Sequence, residues 1–85
     1  MRNRTPPRSW DDRESARRWL SDFVTDVVGY ESWTIADLND MYDEALIKVR
    51  RGWRTGVVLR KPFRRNPDAL AEFIEEFLAK RKGQD

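Results

Sequence analysis

The chain contains no cysteine and no histidine. Without thiols there is no disulfide framework and no thiolate metal site. Without imidazole, the most common zinc ligand and the most common general base are both missing. Ser9, Ser15, Ser21, Ser32 and the threonines therefore have no histidine to activate them, and an enzymatic function is not expected. No apolar run approaches the ~20 residues of a membrane span, and the N-terminal stretch lacks a hydrophobic signal core. A soluble, cytoplasmic protein with no membrane partner is expected.

Apolar residues are also scarce: they make up 39% of the chain, while charged residues make up 38%. The first value is below the usual 45–50% and the second well above the usual quarter. Eighty-five residues suit one domain with a small core. Four Trp and four Phe offset the shortage, since each aromatic ring buries roughly 150–250 Å².

A local absence carries more information. Between Glu44 and Asp68 there is no acidic residue, yet this stretch holds Lys48, Arg50, Arg51, Arg54, Arg60, Lys61, Arg64 and Arg65. These are eight cations in a chain whose formal net charge is only +2. The flanking blocks run the other way: residues 9–44 carry a net −7 and residues 68–85 a net −2, after an acid-free start with Arg2, Arg4 and Arg8. Charge this segregated implies a molecule with a distinct basic region suited to a polyanion or an acidic protein surface. The N-terminal stretch and the Lys80–Lys82 end are positioned to extend the same field.

Three helices follow from periodicity and capping. Ser9 reads as an N-cap with Asp11, Asp12 and Glu14 in the first turn, where the helix dipole favours acids. Ala16, Trp19, Leu20, Phe23, Val24 and Val27 form the apolar stripe and Gly29 the stop, giving a helix over 10–28. Thr34 and Asp37 resemble a capping box, with Trp33 and Leu38 at the staple positions. Leu38, Met41, Tyr42, Ala45, Leu46 and Val49 then continue one face to Gly52, predicting a second helix over 35–51. Asn66-Pro67-Asp68 supplies a cap, a proline at N1 and a first-turn acid. Leu70, Phe73, Ile74, Phe77 and Leu78 follow, for a third helix over 67–82.

The connection over 52–66 resists a helical reading. Thr55-Gly56-Val57-Val58-Leu59 is rich in β-branched residues, and Pro62 bars a regular helix through Phe63. Val57–Arg60 is expected to be extended and packed on the bundle, as half of a small hairpin with Gly56 available for a turn. The fold class expected is thus mostly α: a three-helix domain over 9–85 with a basic extended or wing-like connection between helices 2 and 3. A flexible basic arm over 1–8, containing Pro6-Pro7, precedes it.

Two motifs admit a plain structural role as well as a functional one. Trp53, inside Arg50-Arg51-Gly52-Trp53-Arg54, can stack on a base, but it falls one turn beyond Val49 and so reads as the closing member of the second helix's apolar stripe. Asp37, Asp40, Asp43 and Glu44 share a helical face opposite that stripe. An oxygen-ligand cation site needs convergent ligands from more than one element, so the face reads as solvated, as do Asp22 and Asp26. No metal and no cofactor are expected.

Arg50-Arg51-Gly52, Val57-Val58-Leu59-Arg60 and Asp68-Ala69-Leu70-Ala71-Glu72-Phe73 together resemble the wing and following helix of excisionase-type winged-helix DNA-binding proteins. That family holds two short helices and a turn where Thr34–Gly52 reads as one helix, so membership is not assigned. The resemblance implies DNA contact by the arginines. From the residues themselves two functions remain. The first is a small nucleic-acid-binding protein of the phage- or plasmid-regulator type, holding phosphates through Lys48, Arg50, Arg51, Arg54, Arg60, Lys61, Arg64 and Arg65. The second is a protein-interaction module (an adaptor, an inhibitor of a larger machine or a virion connector) that presents the same side chains to an acidic protein face.

Overall fold

A computed structural model describes residues 6–83. The order of elements is α1 (Arg13–Val28), a 3-10 turn (Tyr30–Ser32), α2 (Ile35–Ala45), β1 (Leu46–Arg51), β2 (Arg54–Leu59), α3 (Lys61–Arg65) and α4 (Pro67–Gly83). The fold is mostly helical, as expected, but among the described residues it has four helices and a two-stranded antiparallel hairpin rather than three helices with an extended or wing-like connection. No helix among them is long and apolar enough to cross a membrane.

The first helix begins later than the sequence suggests. Asp12, not Ser9, is the N-cap, accepting from the Ser15 N–H at 2.8 Å. Trp10 is held extended because it exchanges two backbone hydrogen bonds with Val57, at 2.8 and 2.9 Å, as a short third rung on β2. Gly29, at φ 90°, ends α1, and its N–H donates to the Thr25 carbonyl.

The second helix starts as read and stops early. The Thr34–Asp37 capping box is complete: the Asp37 N–H donates to Thr34 Oγ1 at 3.2 Å, and the Thr34 N–H donates to Asp37 Oδ2 at 3.1 Å. The helix closes at Ala45, where Leu46 turns extended (φ −122°, ψ 152°). Leu46 to Arg51, read as the last turns of a helix, form β1 instead. Ile47 and Val49 are β-branched and suit a pleated strand, and a partner strand is available in Thr55, Val57 and Val58. Ladder pairing there outweighs a helical spacing carried only by Leu46 and Val49.

The expected extended segment and hairpin are present, but Gly56 is not the turn. The two-residue turn is Gly52-Trp53, with Gly52 at φ 64°. No described non-glycine residue has positive φ, so the pattern is that of a II′ turn. Gly56 lies mid-strand opposite Val49, and a Cβ there would sit 3.1 Å from the Trp10 carbonyl oxygen. It is needed for close approach of backbones, not for turning.

Pro62 does not bar helix at Phe63. It falls in the first turn of the five-residue α3, where the N–H it lacks would be unpaired anyway. The third predicted helix matches α4 to within a residue, with Asn66 Oδ1 accepting from the Asp68 N–H at 3.1 Å.

The core is formed where these elements meet. Leu70, Ile74 and Leu78 make one buried row of α4. It faces Ala16, Leu20, Phe23 and Val24 of α1 and Leu38, Met41 and Ala45 of α2. Leu46, Val57 and Leu59 bring the base of the hairpin into the same cluster. Of the arm expected over 1–8, residues 1–5 lie outside the described part, and Arg8 is exposed.

Candidate nucleic-acid interface

Register decides which basic residues meet. Leu46 pairs with Leu59 at the base of the hairpin, both buried, while Arg50 pairs with Thr55 and Arg51 with Arg54 at its far end. Along β2 burial rises from exposed Arg54 and Thr55 to buried Val57, Val58 and Leu59. The hairpin is therefore rooted in the core by one half and presents the other to solvent.

The eight predicted cations divide accordingly. Arg50, Arg51 and Arg54 are brought together at the turn. Arg60, Lys61, Arg64 and Arg65 lie in and beside α3, at the opposite end of β2. At 3.3–3.4 Å per residue the two groups are roughly 20 Å apart along the strand. That is about six base pairs of duplex at 3.4 Å per nucleotide of one strand. Lys48 lies between them in a groove shared with Asp11, Asp12 and Asp43, a mixed-charge setting that weakens it as an anion contact. The backbone of Arg51 is placed by its pairing with Arg54; its side chain lies outside the described part.

Arg64 differs from the rest. Its Nε and Nη2 donate to the Leu59 carbonyl at 3.3 and 3.2 Å, so its guanidinium closes the end of β2. Lys48, Arg50, Arg54, Arg60, Lys61 and Arg65 are exposed and make no ion pair with a described acid. Six cations thus carry no ion pair among the described residues, although Lys48 shares its groove with acids.

The Lys80–Lys82 end does not join them intact. Arg81 crosses to α2, where Nη1 donates to Asp37 Oδ1 at 3.1 Å and Nη2 pairs with Asp40, while its guanidinium lies 5.0 Å from the Phe77 ring centre. The face of α2 that reads as solvated is therefore partly satisfied within the molecule: the Asp37 side chain is only 14% exposed. No group of acids among the described residues is arranged to hold a metal ion.

Trp53 is the residue the sequence reading placed wrongly. It is 91% exposed at the hairpin tip, not part of a buried stripe. Trp10 is buried, and Trp19 and Trp33 are half-buried against the core. The available signal was Arg51-Gly52-Trp53-Arg54 between β-branched runs, a two-residue turn pattern that helical spacing overrode. Comparison with known proteins finds no matching family model, no similar curated protein and no similar solved structure.

Proposed function

We propose that the protein is a small nucleic-acid-binding protein, of the phage- or plasmid-regulator type, and that its hairpin and α3 hold the phosphate backbone. The observation that carries this reading is the set of six exposed cations without an ion-paired acid among the described residues, in a chain of net charge +2. A near-neutral chain that leaves so many guanidinium and ammonium groups unneutralised in one stretch supplies a site for a polyanion. Arginine suits the task because its planar fork holds a phosphate through two hydrogen bonds. Acids elsewhere keep non-specific attraction local to this region. The test is fluorescence anisotropy with random duplex and single-stranded oligonucleotides across a salt series beginning at about 50 mM, where phosphate contacts are strong. Binding that weakens log-linearly with salt supports the reading; no binding at the lowest salt overturns it.

A second reading, a protein-interaction module facing an acidic partner, has its own support. Arg and Trp are the residue types that dominate interface energetics, and Tyr30 and Ile35 form a separate exposed apolar pair near Trp33, whose Nε1 is buried without an acceptor. A pull-down that recovers an acidic protein, combined with absence of oligonucleotide binding, selects this reading.

A further inference from the structure

We infer that Trp53 is a stacking platform for an unpaired nucleobase, which makes single-stranded or locally unpaired nucleic acid the preferred ligand; this rests on the nucleic-acid reading above and narrows it. The ring is 91% exposed, while the other three tryptophans are buried or half-buried against the core. It makes no ring contact with another described residue. The II′ turn accounts for this exposure: with Gly52 supplying the positive φ, Trp53 takes the second turn position, and no described element covers it.

What surrounds the ring selects the ligand. Arg54 is adjacent in sequence and Arg50 stands opposite Thr55, both exposed and without an ion pair to a described acid. Both lie within about two strand positions of the turn, roughly 7 Å along the hairpin. The register puts Arg50 and Arg54 on opposite faces of the hairpin. An exposed π-face at a tip that carries a cation on each face suits a ligand that alternates flat rings with anions, which describes a nucleotide strand. An acidic peptide offers the charge without the ring. An anionic lipid surface requires a broad apolar face, whereas the neighbours of Trp53 are Gly52, Arg54 and Thr55. Intact duplex is disfavoured because its bases are already stacked. Opening a step costs an energy comparable with, or larger than, what one stacked indole contributes. An unpaired base presents its face without that cost.

The experiment compares binding of a labelled oligothymidylate and a length-matched duplex at one salt concentration, with wild type, Trp53→Ala and Trp53→Phe. Trp53→Ala is expected to weaken single-strand binding by roughly 5- to 150-fold, the range for one lost stacked base, and to leave duplex binding and the salt slope unchanged. Trp53→Phe is expected to retain most of the single-strand affinity. Tryptophan emission of the wild type is expected to be quenched by oligothymidylate, and the quench to vanish in Trp53→Phe. Because the side chain is exposed, the helical circular-dichroism signal should be unchanged in both variants. Equal affinity of wild type and Trp53→Ala for single strands, with duplex binding intact, overturns the stacking role and leaves the broader reading standing. Absence of binding to any oligonucleotide sinks both. Quenching by phosphatidylserine-containing vesicles but not by oligothymidylate overturns the inference in favour of a lipid surface.

Discussion

Trp10 and Val57 hold each other by a reciprocal pair of backbone hydrogen bonds, N–H to carbonyl in both directions, at 2.8 and 2.9 Å. This contact ties the segment before α1 to the edge of β2, the strand whose far end carries the exposed tip. The Trp10 ring lies 5.3 Å from that of Trp19, so the strap is anchored on α1 as well. The hairpin is thus gripped at its base from both sides, by Trp10 and by the buried Leu46–Leu59 pair.

The strap depends on Gly56. Gly56→Val places branched carbon where even a Cβ would lie 3.1 Å from the Trp10 carbonyl oxygen. Overpacking of this kind costs about 1–3 kcal/mol. Urea unfolding should show that loss, and amide exchange at Trp10 and Val57 should accelerate while α4 stays protected. Unchanged exchange at both amides would show that the strap adapts freely.

Asp37 does two jobs and Asp40 one. Asp37 accepts from the Thr34 N–H through one oxygen and from Arg81 through the other, whereas Asp40, at 49% exposure, meets Arg81 alone. Loss of a cap costs about 0.5–2 kcal/mol and of an exposed ion pair about 0.2–1. Asp37→Ala should therefore destabilise more than Asp40→Ala in chemical denaturation, and the difference should persist at high salt because the capping contribution is only weakly screened.

Two groups give the stability profile opposite limbs. Hydrogen bonds from Ser15 hold the Asp12 carboxyl below its ordinary 3.8, with Arg18 adding to the effect. The folded state then binds that proton more weakly than the unfolded state, so the stabilisation is complete above 3.8 and lost as pH falls through the lower folded value. Burial raises the Tyr42 hydroxyl above 10.0, with Asp43 adding and Arg13 opposing. Its contribution is complete below 10.0 and lost as pH rises through the folded value. Asp12→Asn should flatten the acid limb of the melting-temperature profile and Tyr42→Phe the alkaline limb, each leaving the other limb in place.

Removing charge at the tip should change the salt dependence more than the fold. Substituting Arg50, Arg51 and Arg54 together by Gln is expected to flatten the slope of log affinity against log salt on duplex DNA by roughly two to three units. Helical content should not change, because Arg50 and Arg54 are exposed and make no ion pair with a described acid. Substituting Arg13, Arg17 and Arg18 should leave the slope almost untouched: Arg13 lies over the Tyr42 ring and Arg17 donates to Asn39. A slope unaltered by the first set would move the phosphate contacts away from the hairpin tip.

What the sequence determined by itself is what local chemistry decides. The capping box at Thr34–Asp37, the Asn66-Pro67 start of α4 and the Gly29 stop of α1 each involve groups within a few residues, so they can be read without knowing the fold. The basic character of residues 45–67 was equally legible, because charge is a property of composition. Tertiary structure alone decided the stretch from Leu46 to Trp53. Leu46 and Val49 satisfy a helical spacing as well as a strand's, and the choice turns on whether β2 and Trp10 are present to complete the ladder. Pairing with residues up to thirteen positions away converted two helical turns into a strand and moved Gly52 from a helix stop to a II′ turn. It carried Trp53 from an expected core position to the solvent. The same pairing sent seven of the eight cations into two groups at opposite ends of a strand and left Lys48 between them, because side-chain placement along a hairpin is set by register, which no local residue pattern contains.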